Sequence, residues 1–245
     1  MTARVTLATG GRVLRQLRAD HRTVGLLLVV PTALMVLLRY VFDGSPAAFD
    51  RIGPPLLGIF PFTTMFLVTS VAMLRERTSG TLERLLTTPM GKLDLLLGYA
   101  LAFAVTALAQ VAIATTVAVT WLGLKTPGGV APLMVLAVAN ALLGMALGLL
   151  VSAFAATEFQ AVQFLPATVL PQLLLCGLLT PRDGMLTVLR WVSNALPLSY
   201  AVDGMSRLAT DGGLSGRVGV DLAVVAGCAL VALALGAATL RRRTA

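Results

Sequence analysis

The residue types that proteins use for catalysis and metal binding are scarce in this chain. It holds one histidine, His21, and two cysteines, Cys176 and Cys228. A Cys/His metal site or a disulfide framework needs more of these residues. A phosphate-binding loop is missing, because Gly91-Lys92 is followed by a leucine and lacks the upstream glycine of that motif. We therefore predict no catalytic residue, no metal site and no bound cofactor, and we do not expect the chain to be an enzyme by itself.

The most informative charged segment covers residues 75–90, with the sequence RERTSGTLERLLTTPM. Three of its leucines are spaced i, i+3 and i+4, so a short helix here would carry one apolar face. Glu83 would project beside that face, and Pro89 would end the helix. Such an amphipathic helix suits docking into a groove of another protein. An ordinary connecting helix has the same periodicity, and periodicity alone favours that second interpretation.

The composition indicates the kind of protein that carries this segment. The chain has 245 residues, of which 57% are hydrophobic and 12% are charged, and its mean hydropathy is +0.89. A soluble domain carries roughly 25% charged residues, so too little charge is present to cover a surface that faces water. The apolar runs do not alternate as the strands of a membrane barrel do. These observations predict an all-α, polytopic membrane protein.

Six apolar stretches are long enough to cross the hydrocarbon core of a bilayer as helices. They cover residues 24–42, 54–74, 95–122, 130–154, 162–179 and 218–240. We predict that they form a single transmembrane domain over residues 1–245. The charged segment then becomes a loop at residues 75–92, between the second and third spans.

Residues 3–22 are predicted to form an amphipathic helix in the membrane interface. One side would carry Arg12, Arg15, Arg18 and Arg22, and the other Leu7, Val13, Leu14 and Leu17. A simple positively charged anchor is the alternative. Most of the 19 basic residues fall on the same membrane side as the N-terminus, which predicts that both termini are cytoplasmic. The net charge of +8 then indicates contact with anionic lipid. Nucleic acid is not an expected partner, because base-stacking aromatic residues are not interleaved with the basic ones.

Residues 180–217 form an external segment that contains a second apolar stretch, interrupted by polar residues and by Pro197. We predict a pair of short helices, split at this proline, that dips into the outer leaflet and returns. Backbone at that depth must be covered by protein or line a wet cavity, which favours an external gate. A helix lying flat in the interface is the alternative.

The predicted spans contain four polar, uncharged side chains: Gln110, Asn140, Gln163 and Gln172. Such side chains hydrogen-bond between helices inside a bundle. Gln163 and Gln172 are also candidates for lining a substrate route. No pair of carboxylates lies in the middle of the membrane, which disfavours a carrier coupled to protons or sodium ions.

The loop sequence closely resembles the cytoplasmic coupling helix of type-2 ABC exporter permeases, the class that exports drugs, polysaccharides and lipids. The C-terminal half is similar to the same family. It shares prolines in the fifth span, a glycine and a proline near its outer end, a tryptophan, and a Pro-x-x-Tyr sequence. In this chain the matching residues are Pro166, Pro171, Gly177, Pro181, Trp191, Pro197 and Tyr200.

The resemblance implies a mechanical role. Two permeases pair, as a homodimer or heterodimer, in a bacterial plasma membrane, and each docks a separate ATPase subunit that binds ATP and Mg. The implied coupling residues are Glu76, Arg77, Gly80, Thr81, Leu82, Glu83, Arg84, Leu85 and Pro89. The implied external gate residues are Pro181, Trp191, Pro197 and Tyr200.

The leading hypothesis is therefore the permease subunit of an ATP-powered exporter. The few charges in the spans favour a hydrophobic or amphipathic substrate, either a drug-like compound or a lipid. A carrier that works without ATP is an alternative, although it would need coupling-ion ligands in the membrane. A membrane assembly protein that does not transport is the other alternative.

Overall fold

A computed structural model of the chain describes residues 3–79, 91–211 and 215–239. Within these residues the chain forms α-helices, one 3-10 turn at Arg182–Gly184, and no strand. The helices are α1 (Ala3–Ala19), α2 (His21–Val41), α3 (Pro46–Thr78), α4 (Lys92–Thr120), α5 (Val130–Val151), α6 (Glu158–Leu175), α7 (Thr187–Ala195), α8 (Pro197–Thr210) and α9 (Gly216–Thr239).

Five of the described helices are long and apolar enough to cross a membrane: α2, α3, α4 from Asp94, α5 and α9. The chain is therefore an all-helical, multi-pass membrane protein. The predicted fifth span corresponds to α6, which is not among the five. It carries Glu158 and three glutamines within 18 residues, so a sixth span stays a prediction. The helix also ends four residues before the predicted boundary at 179, because the chain turns at Gly177, where φ is +93°.

The long helix α3 is the centre of the bundle. It has 33 residues and is therefore about 50 Å long, well over the roughly 30 Å of a hydrocarbon core. It extends beyond the predicted span, 54–74, at both ends. The Pro54-Pro55 pair, interpreted as a start, lies inside the helix. At the other end α3 continues to Thr78, so Glu76 belongs to its last turn and not to a loop.

Glycines bring the backbone of α5 against the backbone of α3. A Cβ atom at Gly144 would overlap the carbonyl oxygen of Phe62, and one at Gly148 would overlap atoms of Phe66 and Thr69. The Thr69 hydroxyl, which donates to the Met65 carbonyl oxygen of its own helix at 2.7 Å, also lies 3.2 Å from the Met145 carbonyl oxygen across this contact. The Gly-x-x-x-Gly sequence of α5 therefore serves packing within the chain.

Two of the predicted polar residues link helices. The Gln110 side chain on α4 donates to the Leu27 carbonyl oxygen of α2 at 2.8 Å and to the Thr64 hydroxyl of α3 at 2.6 Å. The Asn140 side chain on α5 donates to the Gly58 carbonyl oxygen of α3 at 3.1 Å. Both side chains are fully buried. Their hydrogen bonds agree with the expectation that polar side chains in the spans link helices inside the bundle.

The N-terminal helix α1 ends three residues before the predicted boundary at 22. Asp20 breaks it, because its carboxylate accepts from the Thr23 backbone N–H at 3.1 Å and from the Thr23 hydroxyl at 2.6 Å, and so caps α2. These bonds lower the pKa of Asp20. Val13 and Leu17, expected to face lipid, are buried within the chain, whereas Leu7 is 61% exposed. The interfacial position of α1 stays a prediction.

Candidate functional site

The last turn of α3 carries three consecutive charged residues, Arg75, Glu76 and Arg77. Consecutive residues of a helix are rotated by about 100°, so their side chains leave α3 in three directions. Arg75 donates two hydrogen bonds to Glu158 at the start of α6, from Nε at 2.7 Å and from Nη2 at 3.0 Å. The Arg75 guanidinium holds the pKa of the Glu158 carboxyl below its usual value.

Glu76 connects α3 to α1 and α4. It is only 9% exposed, and its Oε1 lies 3.6 Å from Nη1 of Arg12 on α1. The Arg12 guanidinium also donates to the Tyr99 hydroxyl of α4 at 2.9 Å and lies 5.9 Å from the centre of that ring. Because a buried carboxylate needs a cationic partner, Arg12 fixes the orientation of Glu76.

Arg77 reaches towards the last helix. Its Nη2 donates to the Thr239 hydroxyl of α9 at 3.5 Å, a weak contact. The last turn of α3 is thus bonded directly to α1, α6 and α9, and to α4 through Arg12. The end of α3 is therefore in contact with four other helices.

Most of the predicted coupling region lies outside the described residues. This holds for Gly80, Thr81, Leu82, Glu83, Arg84, Leu85 and Pro89. The structure resumes at Gly91, whose backbone N–H donates to the Asp94 carboxylate at 3.3 Å, at the start of α4. The predicted loop therefore joins the ends of two long helices, α3 and α4.

The opposite end of the bundle holds the predicted gate residues. Pro181 precedes the 3-10 turn, and Pro197 is the first residue of α8, so α7 and α8 are two short helices divided at the predicted proline. The Tyr200 hydroxyl of α8 donates to the Asn194 carbonyl oxygen of α7 at 2.8 Å. Trp191 takes no part in this packing, because it is 75% exposed.

Arg182 holds this arrangement together. Its guanidinium pairs with the Asp203 carboxylate, donates to the Asn194 side chain and lies 5.5 Å from the centre of the Tyr200 ring. Burial raises the pKa of Asp203, although Arg182 opposes this effect. Residues from the 3-10 turn, α7 and α8 therefore meet at one arginine.

The two short helices differ in burial. Half of α8 is buried in the bundle, where Met205 packs so closely that a Cβ at Gly58 of α3 would overlap its thioether. In α7 only Ser193 is buried. Whether the pair dips into a membrane leaflet stays a prediction.

Beside α7 and α8 the end of the bundle has an open cavity of about 700 Å³, which we call the vestibule. Most of its lining residues are polar, and most of the charged ones are arginines. The starts of α3 and α9 complete its wall. Because Arg51 and Arg75 are 24 residues apart in α3, the vestibule and the charged last turn are about 36 Å apart.

The two candidates for a substrate route have different environments. Gln163 is exposed, whereas Gln172 is buried and donates to the Thr168 carbonyl oxygen of its own helix at 3.0 Å. They are nine residues apart and therefore point to nearly opposite sides of α6. Nothing among the described residues brings them to one surface in the single chain.

Several residues of the site were not found from the sequence. Arg12, Tyr99 and Glu158 lie 64, 23 and 82 positions from Glu76 along the chain, and no local pattern joins them. A usable signal existed for Glu158, because it lies between the predicted fourth and fifth spans, 130–154 and 162–179, and therefore on the same predicted membrane side as the loop at 75–92. In residues 3–79, 91–211 and 215–239 no group of three or more His, Cys, Asp or Glu could hold a metal ion.

The fold and the charged helix end define a multi-pass helical membrane protein in which the last turn of α3 is linked to four other helices. A family model described as "ABC-2 type transporter" matches residues 5–208. The chain belongs to this family of ABC transporter permeases.

Curated relatives agree with the family. The chain is 28% identical over 187 residues to the probable multidrug ABC transporter permease YbhS of Escherichia coli, covering 76% of this chain and 48% of that one. It is 26% identical over 156 residues to ABC transporter G family member 20 of Dictyostelium discoideum, covering 64% and 21%. The probable multidrug permease YbhR of E. coli is 27% identical over 153 residues, covering 61% and 41%. The chain thus spans about half or less of these relatives' length.

Proposed function

We propose that this chain is the permease subunit of an ATP-binding-cassette exporter, powered by a separate ATPase subunit. The observation that carries the proposal is the last turn of α3, where Arg75, Glu76 and Arg77, the first residues of the predicted coupling segment, contact three other helices. A push on that loop would act on α3 and on the helices that its last turn contacts. ATP and Mg would bind the partner, since this chain has no phosphate-binding loop.

The charged end of the bundle is the cytoplasmic end in this proposal. The arginines of α1 lie at that end and favour anionic lipid. Both termini are then cytoplasmic, in a bacterial plasma membrane. The vestibule, with Pro181 in its wall, becomes the external gate together with Trp191, Pro197 and Tyr200 of α7 and α8. These two helices become the re-entrant pair beside a sixth span formed by α6.

A second permease copy, identical or related, would cover the exposed side of α6. Only Ala161, Val169 and Gln172 of this helix are buried in the single chain, whereas Leu170 and Leu174 are at least half exposed. An exposed polar residue such as Gln163 would then face either the partner or a route between the two copies. This supports the proposed dimer.

The proposed substrate is a hydrophobic or amphipathic molecule, a drug-like compound or a lipid. The helices of the bundle are mostly apolar. The vestibule is a polar cavity at the external end, where the substrate would leave. The name of the E. coli relative YbhS, a probable multidrug permease, is consistent with this class.

The coupling loop is the place to test the proposal. The permease and its ATPase would be purified together, and ATP hydrolysis and export into vesicles would be measured. We expect deletion of residues 78–88 to abolish partner binding. We expect Glu83→Arg to lower export roughly tenfold or more, because a reversed charge in a docked interface costs a few kcal/mol.

The control is Asp43→Arg, a charge reversal at the opposite end of the bundle, which should leave partner binding unchanged. Unchanged export in both loop variants would show that the loop does not couple the ATPase. Export driven by an ion gradient in vesicles without any ATPase would overturn the proposed function.

A further inference from the structure

The vestibule is lined by an excess of basic side chains, all of them arginines. The five are Arg51, Arg182, Arg190, Arg207 and Arg217, against the three aspartates Asp183, Asp203 and Asp211. They come from α3, the 3-10 turn, α7, α8 and α9, so five separate elements direct guanidinium groups to one cavity. Arginine binds oxyanions with two parallel hydrogen bonds, which lysine cannot do.

Two of these arginines already have partners. Arg182 is paired with Asp203 and Asn194. Arg207 lies 3.8 Å from the Asp221 carboxylate of α9, which is an ion pair but too long for a hydrogen bond. The Nε atom of Arg207 is buried and has no hydrogen-bond partner among the described residues.

The other three arginines are open. Arg51, Arg190 and Arg217 are exposed, and none forms an ion pair with another residue in the described part of the chain. Of the acidic side chains in the wall, Asp183 and Asp211 remain outside these ion pairs. The vestibule therefore has an uncompensated positive charge, and the charges that cause it can reach a ligand.

The cavity also has the size and the apolar edge that an amphipathic ligand needs. Its volume of about 700 Å³ lies within the usual range of roughly 300–1,000 Å³ for small-molecule sites. Ile52, Pro55 and Leu178 line it beside the arginines. An oxyanion group could contact the guanidinium groups while an attached alkyl chain packs on these residues.

We propose that the vestibule is a binding site for an oxyanion, the phosphate type of headgroup carried by an anionic amphiphile or the same group as a free ion. Arg51, Arg190 and Arg217 supply the attraction, and Arg207 lies beside them in the wall. In the exporter this would be the exit site for an anionic amphiphilic substrate. That role rests on the proposed function, whereas binding itself does not.

The experiment measures binding to the full-length chain in nanodiscs of zwitterionic lipid. Hexyl phosphate, inorganic phosphate and uncharged hexyl glucoside are titrated separately, and binding is followed by the rise in Tm. Hexyl phosphate should bind and hexyl glucoside should not. Stronger binding of hexyl phosphate than of inorganic phosphate identifies an amphiphile headgroup as the source, and equal binding identifies a free oxyanion. Either result supports the site.

Substitutions locate the site. We expect Arg51→Gln, Arg190→Gln and Arg217→Gln each to weaken hexyl phosphate binding roughly threefold, and the triple variant roughly twentyfold, the size expected for solvent-accessible charges. Asp183→Asn should strengthen binding. Lys125→Gln removes a positive charge at the same end but outside the cavity, and should change nothing.

Two results would overturn the inference: no binding of either phosphate ligand, or equal binding to the native chain and a folded triple variant. The open arginines make few contacts, so the triple variant should keep the native Tm in the absence of ligand. Loss of binding with ATP-driven export intact contradicts only this inference. Binding without any ATP-driven export contradicts only the proposed function.

Discussion

The two ends of α3 carry similar side chains but use them differently. At the end near Arg75, both arginine–glutamate contacts join α3 to another helix, as Arg75–Glu158 and Arg12–Glu76. At the end near Arg51, arginines outnumber aspartates around a cavity. Paired charges hold helices in place, whereas unpaired charges are available to a ligand. One end of the bundle is therefore built for connection and the other for binding.

The largest effect should come from the buried acid of the paired end. Glu76→Lys would place a cation beside Arg12 in a buried position and should destabilise the protein by about 3 kcal/mol. Thermal unfolding in detergent measures this. The matched control is Asp43→Lys, because Asp43 also pairs with an arginine, Arg39, but its side chain is 78% exposed. That variant should lose less than about 0.5 kcal/mol. Equal losses of stability in the two variants would show that the buried Arg12–Glu76 pair contributes no more than the exposed Arg39–Asp43 pair.

A charge swap tests whether the Arg75–Glu158 pair transmits movement. Arg75→Glu and Glu158→Arg should each lower ATP-driven export roughly fivefold, because two like charges then meet where α3 joins α6. The double variant restores opposite charges and should recover most of the activity. Partner binding serves as the control and should stay unchanged. A double variant no better than the singles would show that the two residues act independently.

At the vestibule end, a hydrogen bond from Tyr200 of α8 holds α7 and α8 together. Tyr200→Phe removes the hydrogen bond to the Asn194 carbonyl oxygen and should cost about 1 kcal/mol of stability. The matched control is Trp191→Phe on the neighbouring helix α7. It should change Tm little, since the Trp191 side chain is 75% exposed. A larger loss of Tm for Trp191→Phe than for Tyr200→Phe would show that the Tyr200 hydrogen bond is not the main contact between α7 and α8.

The smallest effect concerns pH. The pKa of Glu158 is lowered by Arg75, so the pair's contribution is complete above the ordinary glutamate pKa and is lost as pH falls through the lowered value. The difference in Tm between the native chain and Glu158→Gln should therefore be constant from neutral pH to about pH 5. It should vanish in stronger acid. A difference that vanishes already at about pH 6 would contradict the lowered pKa.

The sequence predicted the helices better than their ends. Long apolar runs identify helices because the backbone must bond internally in lipid. The predicted span begins at Pro54, whereas α3 already begins at Pro46 and continues through Pro54 and Pro55. The end of α6 was missed because the positive φ at Gly177 stops the helix inside an apolar run.

The candidate site was predicted in part. The resemblance placed Glu76 and Arg77 in the coupling loop, whereas the structure has them in the last turn of α3. Pro197 divides the two short helices as expected. The partners of these residues could not be found, because Arg12, Tyr99 and Glu158 are distant in the chain and meet only in the folded bundle. The roles of the predicted coupling and gate residues stay predictions.

The glycine contact between α3 and α5 limits how the bundle can rearrange. Where Gly144 and Gly148 touch the opposite backbone, no layer of side chains remains in which one helix could slip past the other. The two helices should therefore travel as one rigid body, and shear should occur at looser borders. The sparsely buried α6 provides such a border, so labels on α5 and α6 should separate while labels on α3 and α5 keep their distance.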